Sequence, residues 1–366
     1  MAPIWAYIVL ALAITTMSSG GMWFALFPET PPLMQSCWRL SLTSAMQGLG
    51  VAYELQSKSA SLDELFWIRY RQSIPLLMVI GAAMGVCFGA WGWSVAHTTL
   101  LDSLLLVSTT PLLLVIVLTL RWLYRRSFTS DQREIVALSK ETDAILGSSP
   151  SPSLFEAVVC PAEAHPPSWK EVVGTIVGFS GVIVLLVATT DENATSTQVT
   201  FAGNVSALIA ALMNIVYLEG GSSCRKWMPL FIYSLSVTVI GAVSLGTASL
   251  LFEADTTVFG LGSTSLFGYF GDSRRFGFTF GSAFVAGFFG HACMNIAVVH
   301  VSTLLVAVSC LWEPLIGSYM GYLAGVQGMP DSTTLIAAPL LLGGALLVTL
   351  GGHQANVNAI ALEGGV

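Results

Sequence analysis

Ten apolar runs follow one another along the chain, at residues 4–24, 33–55, 75–97, 100–123, 172–189, 201–218, 228–252, 278–300, 303–326 and 334–350. Each comes close to the roughly 20 residues a helix needs to cross the hydrocarbon core of a bilayer. A helix satisfies its own backbone polar groups in lipid, so the runs read as spanning helices rather than strands. Composition closes off a water-soluble fold: 10% of residues are charged and 54% hydrophobic, with a mean hydropathy of +0.75, where soluble domains carry roughly 25% charged residues. The expected fold class is an all-α polytopic membrane protein embedded in a lipid bilayer. No Lys or Arg precedes the first run and further spans follow it, which favours a retained first helix over a cleaved signal.

The third and fourth runs, and the eighth and ninth, are only a few residues apart, which predicts two tight antiparallel hairpins. A polar linker at 124–169, with Ser148, Ser149, Pro150, Ser151, Pro152 and Ser153, separates the fourth run from the fifth, and its composition is that of a non-core connection. A second polar loop, rich in Gly, Ser and Thr, spans 253–277 and carries Asp272, Arg274 and Arg275. With the N-terminus cytoplasmic, eleven bases fall on the cytoplasmic side, Arg274 and Arg275 on the other, and Arg39 within the second run. The positive-inside rule then places both termini in the cytoplasm and faces Asn193-Ala194-Thr195 outward as a glycosylation triplet or an ordinary turn. Which membrane is involved is not encoded in these counts.

The net charge is −7, and the bases cluster without forming a patch suited to neutralising phosphates, so nucleic acid is not an expected partner. Six cysteines, none in a CxxC pair, suggest neither a disulfide framework nor a zinc site. No metal or other cofactor is expected.

Laying Pro111 over Pro314 aligns two stretches without gaps, with His97 on His300 and Leu101 on Leu304. Five runs lie in each half, and an odd number of crossings inserts the second copy upside down, the inverted-repeat arrangement of many secondary transporters. About ten transmembrane helices in two inverted five-helix repeats are therefore expected. First-repeat helices 1–4 fall in 1–123 and helix 5 in 170–190, beyond the 124–169 cytoplasmic linker; the second repeat occupies 199–352, followed by a cytoplasmic tail at 353–366.

Cys37-Trp38-Arg39-Leu40 in the second run, Leu101-Asp102-Ser103-Leu104 through Thr109-Thr110-Pro111-Leu112 in the fourth, and Leu311-Trp312-Glu313-Pro314-Leu315 in the ninth resemble the EamA-type drug/metabolite transporter superfamily over most of both halves. The resemblance implies a ten-helix carrier with duplicated halves for metabolites, amino acids or nucleotide-sugars. Such carriers often place a Glu just after the fourth and ninth helices; here the chain reads Arg121-Trp122-Leu123-Tyr124 and Gly325-Val326-Gln327-Gly328. The long linker after Tyr124 is a further departure.

An ionisable group in the bilayer core costs roughly 2.5 to 3.5 kcal/mol on insertion scales, so each invites a functional reading. Glu313, ahead of the helix-bending Pro314, could bind a cation or exchange a proton; packing accounts for it equally. His291 and Asn295 share a helix face and offer either an imidazole and an amide to a solute or a bond between helices. Arg39 could hold an anionic substrate, pair with Asp102 on the fourth run, or snorkel to the interface. Trp91 and Trp93 are candidates for stacking on a planar solute, or for interface anchors. Asn214 is a further polar candidate, whereas His97 and His300 read as interface residues at helix ends on opposite faces, and Glu54 and Glu219 as helix-end groups reaching water. Gly20-Gly21, Gly85, Gly89 and Gly343-Gly344 read as close-packing positions.

The expected function is a secondary transporter moving a small polar metabolite by alternating access, not an enzyme. Its cavity would be lined by the first to fourth and sixth to ninth helices, and a homodimer is left open. Two rivals stand beside it: an intramembrane serine protease using Gly178-Phe179-Ser180-Gly181, and a transport-inactive membrane receptor or scaffold.

Overall fold

A computed structural model describes residues 3–57, 62–127, 167–188, 200–225, 227–300, 309–330 and 332–363. The linker read at 124–169 therefore falls largely outside the described residues, as do Asn193 and its triplet. Among the described residues the architecture is all-α, and eight stretches are long and apolar enough to cross a membrane. The chain is an integral multi-pass membrane protein.

The first span is two helices, α1 (Ile4–Ser18) and α2 (Gly20–Ala25), hinged at Ser19. Next come α3 (Pro32–Ser57) and α4 (Glu64–His97), then a fourth span broken at Ser108 and Thr109 into α5 (Leu100–Val107) and α6 (Thr110–Ser127). Pro111 sits in the first turn of α6, where its missing amide costs no helical bond. Beyond the linker lie α7 (Trp169–Ala188), α8 (Phe201–Arg225) and α9 (Leu230–Phe252). The eighth span joins α10 (Ser273–Gly281), a π-helical stretch (Ser282–Phe289) and α11 (Gly290–His300). The chain closes with α12 (Glu313–Leu323) and α13 (Ser332–Glu363).

Three features of these helices differ from the sequence reading. α4 does not start at Pro75 but at Glu64, because the Asp63 carboxylate caps the Phe66 amide at 2.9 Å and the helix runs on through Pro75. α13 continues to Glu363, through residues read as a tail. α3 has the length for a span, 26 residues, yet is not among the eight apolar enough. Its polar residues are directed into the protein rather than to lipid: Ser36, Arg39, Thr43 and Ser44 are all buried.

α3 and α9 lie antiparallel and cap one another. Glu54, near the end of α3, accepts the Phe231 and Ile232 amides of α9 at 2.9 and 3.2 Å. Glu253, just past α9, accepts the Leu33 and Met34 amides of α3 at 2.7 and 3.0 Å. Each carboxylate meets the positive end of a helix dipole and its otherwise unbonded amides. Glu54 is buried for this purpose, 3% exposed, rather than reaching water. Glu219 likewise turns inward: it forms a bidentate pair with Arg121 at 2.7 and 2.6 Å, tying α8 to α6.

Further contacts pair α1 with α11, α4 with α8, α7 with α13, α5 with α12, α4 with α9, and α3 with the π-helical stretch. Small residues permit the closest of these. A Cβ built on Gly344 of α13 would lie 2.5 Å from the Gly178 Cα of α7, and one on Gly85 of α4 would lie 3.1 Å from the Gly241 carbonyl of α9. One face of the bundle, the Arg225 face, carries the ends of α3, α6 and α8 and the starts of α4, α7 and α9. The opposite face carries the loop from Glu253 to Asp272, which is folded down rather than extended. Thr257 bridges Ser265, Arg275 Nη1 donates to the Leu261 and Gly268 carbonyls at 3.0 Å each, and the Trp38 indole donates to the Ser265 carbonyl at 3.2 Å. Tyr269 packs edge-on against Trp38 in a cluster with Phe27 and Met34. That burial raises the Tyr269 phenol above its ordinary pKa.

Candidate functional site

On α3, Arg39, Thr43 and Gln47 recur every fourth residue, so they share one helix face. That face looks into a cavity of about 200 Å³ enclosed by α3, α4, α8, α9 and the π-helical stretch with α11. Phe88 of α4 and Val237 of α9 supply apolar wall, and Tyr233, Ser234 and Thr238 of α9 supply hydroxyls. Two glycines make room for these groups. A Cβ on Gly221 would come within 2.5 Å of the Tyr233 hydroxyl, and one on Gly287 within 2.6 Å of Thr43 Oγ1. Arg225, exposed at its helix end, lines the cavity at the Arg225 face.

Arg39 closes the other end. It is 5% exposed, with its guanidinium carbon 5.2 to 5.9 Å from the rings of Phe24, Phe88 and Trp91. Within about 6 Å such rings attract a cation through their quadrupoles. Yet Nε and Nη1 have no hydrogen-bond partner, and among the described residues no carboxylate pairs with the side chain. Beyond Arg39, toward the loop face, lies a void of only about 10 Å³ walled by Trp23, Phe24, Phe27 and Phe278. A void of that size holds about one water molecule, and Gln35, Thr279 and Ser282 line it beside the rings, so the space narrows sharply on that side. Arg39 lines both spaces.

Among the residues singled out from sequence, Arg39 and His291 line the cavity, and Trp91 joins it indirectly, as part of the cage around Arg39. The others are placed elsewhere. Asp102 does not pair with Arg39: it sits in the first turn of α5, where its amide is capped by Thr99, and its carboxylate accepts from Thr334 of α13 at 2.8 Å. Trp93 stacks on His97 with ring centres 3.9 Å apart. Asn214 reaches Thr110 at 3.5 Å, where the fourth span is broken. Glu313 opens α12 rather than lying mid-helix, half-buried beside Cys310 and away from the cavity. Asn295 lies on α11 with His291, but its side chain is outside the described set. The walls come from fewer helices than expected, without α1, α2, α5, α6 or α12.

Thr43, Gln47, Tyr233 and Arg225 were missed. The four-residue spacing of Arg39, Thr43 and Gln47 was a legible signal, whereas nothing local marks Tyr233. Ser180 of the GxSG match is exposed and donates to the Val177 carbonyl of its own helix at 2.6 Å, while Gly178 and Gly181 pack α7 against Leu112 and α13. Among the described residues no group of three His, Cys, Asp or Glu side chains could hold a metal.

No family model matches the chain, and no curated protein matches it. A solved structure described as "Crystal structure of protein" is similar over 94% of this chain and 96% of its own, with a TM-score of 0.50 at 16% identity. At that identity the likeness concerns the fold alone.

Proposed function

We propose that this chain is a secondary transporter resembling the EamA-type drug/metabolite carriers, moving a small polar metabolite by alternating access. Ten spans are counted by adding α3 and the ninth apolar run, of which α12 is a described part, to the eight apolar ones. The observation that carries the reading is the cavity itself: a space with polar side chains inside a membrane bundle, reaching the Arg225 face and narrowing beyond a buried cation. A structural scaffold has no use for such a space, whereas a carrier caught open to one side requires it.

Two inverted halves are supported by three further features. Glu54 and Glu253, one from each half, make the same cap on the partner helix. Exchanging spans 1–5 for 6–10 turns the α1–α11 contact into α8–α4 and returns the α3–α9 and α7–α13 contacts to themselves. Helix breaks stand just before both Pro111 and Pro314. Arg69, Arg71, Arg121, Lys170 and Arg225 belong to helix ends on one face and Arg274 and Arg275 to the other, which supports cytoplasmic termini on the Arg225 face.

The cavity is smaller than the roughly 300 Å³ at which drug-sized pockets begin. It favours solutes of amino-acid size over nucleotide-sugars in this conformation. Purified protein in liposomes preloaded with a metabolite mixture should exchange at least one labelled member for external label, at a rate that saturates. Absence of exchange across a broad panel of amino acids, short organic acids and sugars, by protein shown to be folded, would refute transport.

A further inference from the structure

Among the described residues, the ionised side chains that line the cavity are all basic: Arg39 and Arg225 line it, and no Asp or Glu does. This occurs in a chain whose acids outnumber its bases by 21 to 14, so the imbalance is a property of the site and not of the composition. Within it, Arg39 remains cationic whatever its surroundings, since a guanidinium does not lose its proton in proteins. Burying that charge in a membrane without a counter-ion is unfavourable, and the three rings around it offset this only in part. Buried polar groups are ordinarily hydrogen-bonded, and an orphan calls for an account. Here three side chains that line one cavity carry four orphaned atoms: Arg39 Nε and Nη1, the Tyr233 hydroxyl and the Gln47 carbonyl oxygen.

We infer that the cavity binds a small organic or inorganic anion, its carboxylate or phosphate oxygens taken by the Arg39 guanidinium, with Tyr233 a second donor. The planar fork of Arg39 suits two oxygens of one such group. Phe24, Phe88 and Trp91 hold the fork in place, so little side-chain freedom is lost on binding. Arg225 at the open end raises the local concentration of anions before they enter. This names the substrate class of the proposed carrier and rests on that reading for its transport arm, though the binding site stands or falls separately.

The test uses the full-length protein in detergent at constant ionic strength, with its thermal unfolding midpoint followed against matched probes: acetate against acetamide, succinate against succinamide, and inorganic phosphate against glycerol. At least one anion should raise the midpoint in a saturable manner while its neutral counterpart does not. Arg39→Gln should raise the half-saturating concentration about tenfold or more, the loss expected for a charge-assisted hydrogen bond. Arg39→Lys should recover part of it. If no anion shifts the unmodified protein, or neutral partners shift it equally, the inference is overturned without any variant having to fold. An anion effect undiminished in folded Arg39→Gln would also overturn it, by removing the assigned residue. Liposome exchange separates the two readings: saturable anion binding without flux would leave the site and sink the carrier, while flux confined to neutral or cationic solutes would do the reverse.

Discussion

At the residue scale, several polar groups among the described residues serve helix ends or helix pairs rather than the cavity. Glu54 and Glu253 show what such groups contribute. Each supplies a carboxylate to two amides that have no partner within their own helix, an arrangement worth about 0.5–2 kcal/mol when truncated. Glu54→Ala and Glu253→Ala should each lower the unfolding midpoint of the detergent-solubilised protein. The two caps sit at opposite ends of an antiparallel pair of long helices, so the double variant should lose the sum of the two effects. A large departure from additivity, measured by thermal unfolding, would mean that the caps act as one unit. Asp102, Asn214 and Glu219 belong to the same class of residue. Their polarity in an apolar run was legible in the sequence, but their partners Thr334, Thr110 and Arg121 were not, because those lie on other helices.

At the scale of elements, packing depends on which side of a helix a small residue occupies. Gly343 and Gly344 are adjacent and indistinguishable by composition, yet only Gly344 touches α7; a Cβ on Gly343 would meet nothing within 4 Å. Gly344→Ala should therefore destabilise by about 1–3 kcal/mol through overpacking. Gly343→Ala should be neutral, or stabilising by up to about 1 kcal/mol through helix propensity. Equal effects of the two substitutions on the unfolding midpoint would contradict the α7–α13 contact. Similar reasoning explains why α3 reads as a span by its length and yet falls short of the eight apolar spans. A helix with one face on an internal cavity and another under the folded loop need not present a continuous apolar surface, and Trp38 and Arg39, adjacent in sequence, serve these two environments.

For the whole molecule, the arrangement can be read from outside. In intact vesicles a membrane-impermeant thiol reagent should label Glu64→Cys and Arg225→Cys from one side, and Phe259→Cys, which replaces a ring 87% exposed on the loop, from the other. Labelling of all three from one side would dismantle the bundle described above. The sequence by itself determined the solvent of this protein, its helical class, the position of nearly every span and a short roster of polar side chains within them. Those are properties of local composition and length, and a window no longer than a single span contains them. Only the tertiary structure decided that Arg39 and His291 face a common cavity while Asp102, Asn214 and Glu313 do not. What a side chain meets depends on the rotation of its helix about its own axis and on where that helix breaks. Both are set by contacts with remote segments of the chain, as Asp102 with Thr334, and no local pattern records them.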